Sequence, residues 1–279
     1  MIGSLTGAAA RAIFAALLVA TPSLILPSAS GANEIVALIA LGAAAITFCE
    51  YFSHSPCLIE FRDAPPFNRI RFLSLFVTLF VLAVMFAGEG DGSTLSLLIR
   101  AVGLAAGTAL DFPFSPVRLV VAGVPEEAGM SLALSIRAAA GLAYAISIVA
   151  IVFFVLILRL QRWPSRAGAF NVWINLPTFD PTTGNDIVAR LNRDARINVA
   201  LGFLLPFLIP SAAGGITALF GLRALSEPHS VVWLVSTWSF LPLSLFMRGI
   251  AMGRVASMIA EKRRRTERDA PVSAGLALS

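Results

Sequence analysis

The chain has 279 residues, of which 57% are hydrophobic and only 13% charged, with a mean hydropathy of +0.84. Soluble domains carry roughly 25% charged residues, so this composition excludes an ordinary water-soluble fold and predicts an all-α integral membrane protein. The net charge of +5 rests on arginine, Lys262 being the single lysine; beside so much apolar sequence it predicts contact with anionic lipid, not nucleic acid.

Spanning a hydrocarbon core takes about 20 apolar residues at a rise of roughly 1.5 Å each. The first element, Ala8 to Ser28, meets that length, although Pro22 and Pro27 break its end and the small-residue stretch PSASGA follows. Residues 1–32 therefore read as a first span, with a cleaved signal peptide left open. Glu34 to Phe52 follows as the second span. After it comes CEYFSHSPCLIEFRDAPPFNRIRF, Cys49 to Phe72, which gathers both cysteines and one of the two histidines. As a metal site it would use Cys49, His54 and Cys57, but C-x4-H-x2-C matches no usual zinc spacing. The stretch reads instead as a short loop in which Arg62, Arg69 and Arg71 hold the phosphate side of the bilayer.

Ile70 to Gly88 is the third span. The next apolar run, Leu95 to Leu110, is short and carries Arg100, while Ser96, Arg100, Gly103, Gly107 and Asp111 fall on one helical stripe suited to packing. With DFPFSP behind it, the segment predicts a re-entrant or surface-lying helical hairpin; a seventh span is the rival. A buried ionic contact of Arg100 with Asp111, or else with Glu34, is expected there if the hairpin dips into the bilayer. Charge counting favours six spans with both termini inside, which leaves only Arg100, Arg118, Arg137 and Arg223 on the outer side.

Arg137 to Leu158 is the fourth span. Residues 161–196 then form a cytoplasmic interfacial loop with Trp163, Phe170, Trp173 and Phe179 in its belt. Within it Thr183 and Asp186 suggest a capping box ahead of a basic helix that presents Ile187, Val188, Leu191 and Ala195 on one face, either an amphipathic helix on the inner leaflet or the entry to the next span. The fifth and sixth spans are Asn198 to Leu222 and Val231 to Met247. They contain Pro206, Pro210, Gly214 and Pro242, helix breaks of the kind that line binding sites in transporters but also serve packing. The final KRRR, following a span, predicts a lipid anchor, and 266–279 a disordered tail. Residues 1–265 are thus one helical transmembrane domain.

No H-E-x-x-H, G-x-S-x-G or Walker loop occurs, and neither His54 nor His229 lies inside a span, where haem would hang. The expectation is therefore no catalytic, cofactor or metal residues and no enzyme. The chain reads as a multi-pass bacterial inner-membrane protein with an accessory role in assembling or regulating a membrane complex, or as a small-solute or ion transporter or channel built on the broken last spans. Expected partners are anionic head groups at Arg190, Arg193, Lys262, Arg263, Arg264 and Arg265, and a membrane-protein partner or a second copy of the chain.

Overall fold

A computed structural model describes residues 2–27, 32–55, 57–88, 92–161, 163, 170–179, 186–212 and 227–269. The described residues are helical, without strands, and six helices are long and apolar enough to cross a membrane. In chain order the elements are α1 (Ile2–Ile25), α2 (Ala32–Phe52), α3 (Phe67–Ala87), α4 (Thr94–Ala109), α5 (Pro116–Ala122), α6 (Gly129–Leu160), α7 (Val172–Asn175), α8 (Ile187–Ala212) and α9 (Pro228–Asp269). A 3₁₀ turn, Glu126–Ala128, leads into α6.

α3, α6 and α9 form the centre. At one end Leu79, Leu82, Ile136, Val232 and Val235 pack with Val117 and Val120 of α5. At the other end Phe67, Phe154, Leu158, Leu243, Met247 and Val255 pack with Phe61, Trp163, Leu176 and Phe179 from the connecting loops. This second end, which carries most of the arginines, is called the collar. Alternating spans bring the first turns of α1 and the far end of α9 both to the collar. Inside the spans lipid is as apolar as the core, so close packing holds the helices together. The collar loops face water, and there burial of Phe61 or Leu176 is worth about 1.5–3 kcal/mol each.

The hairpin lies at the opposite end. Ser93 caps α4 by accepting from the Ser96 amide at 3.2 Å, and Ser115 caps α5 by accepting from the Arg118 amide at 3.0 Å, with Pro116 in the first turn. Contacts step in the same direction along α4 and α6: Arg100 meets Ser135, Gly103 meets Ala138 and Gly107 meets Gly141. α4 therefore descends beside the first half of α6, and α5 brings the chain back. A Cβ on Gly141 would run into the Gly107 backbone, so only glycine permits this crossing. With 16 residues α4 is shorter than the six candidate spans, and α4 and α5 form a helical hairpin packed beside the first half of α6.

Of the two readings of the basic segment, the structure shows the entry to the next span: it forms the first turns of α8, with Leu191 and Ala195 buried against α9. Two boundaries differ from the sequence reading. The cap of α8 is Asp186 itself, whose carboxylate accepts from the Ala189 amide at 3.3 Å, while Thr183 lies outside the described residues. α9 runs on to Asp269, so the tail expected to be disordered from 266 begins as helix. At 42 residues α9 is about 63 Å long, twice the roughly 30 Å of a hydrocarbon core, and it projects from the collar as a basic rod.

Candidate functional site

The site is built at the collar, where the Cys49 to Phe72 stretch folds over the ends of α1, α2, α3 and α9. Glu50, at the last turn of α2, is 8% exposed, and its carboxylate accepts from three consecutive amides, those of Cys57 (3.1 Å), Leu58 (3.0 Å) and Ile59 (3.1 Å). Such a nest of donors fixes a carboxylate as a structural anchor. A membrane-edge acid of this kind reads from sequence as solvated; the structure shows it enclosed. Arg62 ties the turn further, donating to the carbonyls of Glu50 (3.0 Å) and Ser53 (2.6 Å). Phe61 takes a left-handed backbone conformation at φ 52° and is fully buried, its amide donating to the Asn175 carbonyl at 2.6 Å. The Asn175 side-chain oxygen accepts from the Asp63 amide at 3.1 Å, so the short α7 docks this loop.

Glu60 joins the loop to α9. Arg248 reaches it with two hydrogen bonds, Nε to Oε2 at 2.5 Å and a terminal nitrogen to Oε1 at 2.7 Å, and the Thr178 hydroxyl donates to Oε1 at 2.9 Å. The fork geometry is the strong form of the arginine–carboxylate pair. Beneath this roof lies a cavity of about 850 Å³ between α1, α2, α3 and α9. Arg11, Arg69, Arg71 and Arg248 line it, and Glu60 is the one carboxylate among the described lining residues. Its lower walls are apolar, with Phe14 and Ala15 from α1, Phe72 from α3 and Phe240 from α9.

Within that cavity Arg71 is the unusual group. Its guanidinium carbon lies 5.1 Å from the Phe67 ring centroid and 5.7 Å from that of Phe240, and its buried Nε has no hydrogen-bond partner among the described residues. Glu60, which lines the same cavity, is already taken twice by Arg248 and once by Thr178. Arg11 stacks on Tyr51, 4.6 Å to the centroid, and donates to the Gly7 carbonyl at 2.7 Å. Four arginines against one engaged glutamate leave the cavity strongly positive, in apolar surroundings where a charge without a counter-ion costs several kcal/mol.

The residues singled out from sequence lie elsewhere. Pro206, Pro210 and Pro242 are buried where α8 crosses α9. Pro210 has no amide for the Pro206 carbonyl, and the Trp238 indole supplies the missing donor at 3.2 Å. α8 and α9 run on through their prolines as continuous helices, and a Cβ on Gly202 would lie 2.9 Å from the Pro242 carbonyl, so the two helices meet there in close backbone contact. Gly214 lies outside the described residues. Asp111 pairs with Arg118 (2.6 Å) and Arg137 (3.1 Å) rather than with Arg100, which stands three turns away and donates to the Ser135 hydroxyl at 3.2 Å. Eleven residues along a helix is about 16 Å, beyond an arginine's reach.

Cys49 and Cys57 are free and exposed, and among the described residues no three His, Cys, Asp or Glu side chains come together as metal ligands. Of the basic residues expected at lipid, Arg190 lies 4.6 Å over the Phe179 ring and Arg263 pairs with Asp186 at 2.5 Å. Sequence reasoning misses the cavity itself, although a signal is present: Arg71 falls just inside an otherwise apolar span, between Phe67 and Phe72. The fold and the apolar helices define a polytopic helical membrane protein. Comparison with protein-family models, curated proteins and solved structures gives no match.

Proposed function

We propose that this chain is a non-enzymatic accessory protein of a bacterial inner membrane, assisting assembly or regulation of a membrane complex, and that its working end is the collar, where the cavity takes an anionic ligand. The observation that carries the reading is Arg71, a guanidinium with an unpartnered Nε in a cavity whose one lining carboxylate is engaged by other residues. A bound anion offsets the desolvation of such a group. Glu60, held by Arg248 and Thr178, serves as a strut between loop and helix, which supports binding over catalysis. By the positive-inside rule the collar and both termini face the cytoplasm, and the projecting end of α9, exposed from Glu261 to Arg268, offers a basic surface to lipid or to a partner.

Transport of a small solute or ion is the second reading, favoured by the reach of the cavity to Phe240, two residues from Pro242. The dense α8–α9 contact at the prolines supports it less. Affinity purification in mild detergent, with subunit stoichiometry measured, separates the two. The accessory reading expects a stoichiometric membrane-protein partner. A chain that purifies alone and drives uptake of an anion into proteoliposomes contradicts it.

A further inference from the structure

We propose that the collar cavity is a lateral site for an anionic phospholipid, taken from the bilayer between α2 and α3, with its phosphate among Arg11, Arg71 and Arg248. This rests on the anion-binding reading above and adds the class of ligand and its route.

The cavity has a polarity gradient. On α9 the lining passes from Arg248 through Ser244 to Phe240, four residues at a step and so on one face, about 12 Å from charge to aromatic ring. α1 repeats the order from the other direction, Arg11 near the collar and Phe14 and Ala15 deeper. A small soluble anion would satisfy the charged mouth and leave the deeper walls uncovered; an acyl chain covers them. Phe14 is 55% exposed and its ring lies 6.1 Å from that of Phe72, so the lower wall is open to the apolar side.

The route follows from helix packing. Among the described residues α2 packs on α1 and makes no comparable contact with α3, yet Thr47 and Tyr51 of α2 and Asn68 and Phe72 of α3 face the same cavity. The seam between these two helices is therefore a wall that packing leaves unsealed. Three arginines on three helices favour phosphate over carboxylate. The oxygens of a phosphate project toward several donors at once, whereas a carboxylate's two coplanar oxygens match a single guanidinium fork.

The test uses the full chain, delipidated in a neutral maltoside detergent, with the thermal midpoint titrated against short-chain phosphatidylglycerol, phosphatidylcholine of the same chains, and sodium phosphate. The expected result is a saturable rise with phosphatidylglycerol at a concentration at least about tenfold lower than with phosphatidylcholine, and no rise with phosphate over that range. Arg71→Gln should weaken the phosphatidylglycerol response by about tenfold or more, and the exposed Arg254→Gln, outside the cavity, leave it unchanged. Where Arg71→Gln does not fold, Arg11→Gln, at an exposed position, carries the same expectation. Equal responses to the two lipids overturn the proposal. Equal responses to phosphatidylglycerol and phosphate overturn the lipid assignment and leave the anion site standing; no response to either anion overturns both.

Discussion

Glu50 and Glu60 set the roof of the cavity by different means, one by collecting backbone amides and the other by receiving an arginine from α9. Hydrogen bonds to a charged acceptor contribute about 1.5–3 kcal/mol, so Glu50→Ala should cost on that order and free the loop that carries Cys57. The checks are a lower thermal midpoint and faster thiol labelling of Cys57; unchanged labelling would mean the amides are held by something else. Asp186 makes a pH-dependent contact. The hydrogen bond donated by Arg263 lowers its pKa, with the Ala189 amide acting in the same direction. A lowered carboxylate pKa means the contact is fully present above the ordinary Asp value and is lost as pH falls through the lowered one. A spin label on α9 near Arg263 should thus keep constant mobility from neutral pH down to the usual carboxylate range and loosen only below it; loosening near neutrality would contradict the pairing. These residue roles are only partly legible in the sequence. The collar stretch declares itself by its arginines and prolines, but the partner of Glu60 stands 188 residues away, and no local pattern links them.

Among the helices, α4 is readable because its small residues recur at helical spacing, and that stripe is the face that meets α6. α8 is harder. Arg190, Arg193 and Arg196 let its first turns read either as a separate surface helix or as the entry to a span, yet nothing between Ile187 and Gly202 breaks the chain, and the apolar face that would have lain on lipid finds α9 first. The prolines announce broken helices but not what meets the break, since whether a freed carbonyl faces a cavity or a donor depends on the neighbouring helix. At Pro206 the donor is Trp238. Trp238→Phe keeps most of the packing volume and removes the indole N–H, leaving the Pro206 carbonyl unsatisfied. A loss of about 1–3 kcal/mol is expected, read as a reduced unfolding midpoint in detergent; an unchanged midpoint would show that the proline break is relieved some other way.

In the molecule taken together, composition and span lengths carry the class, and the six-helix count follows from them because the bilayer itself sets the length of each crossing. The cavity cannot be read this way. It arises where the ends of four helices fail to close, a property of packing and not of any one segment. The proposed cytoplasmic placement of the collar makes exposed Cys57 an orientation marker: on that proposal a membrane-impermeant maleimide should leave it unlabelled in sealed right-side-out vesicles and label it once they are opened. Labelling in sealed vesicles would reverse the orientation. Whether the arginine cavity holds an anionic lipid can be read by native mass spectrometry of the protein released from membranes in mild detergent. A species heavier than the bare chain by one anionic phospholipid is expected, and that species should be lost in Arg71→Gln. A bare chain for the natural sequence, or equal lipid retention by the variant, would contradict a lipid site at the collar.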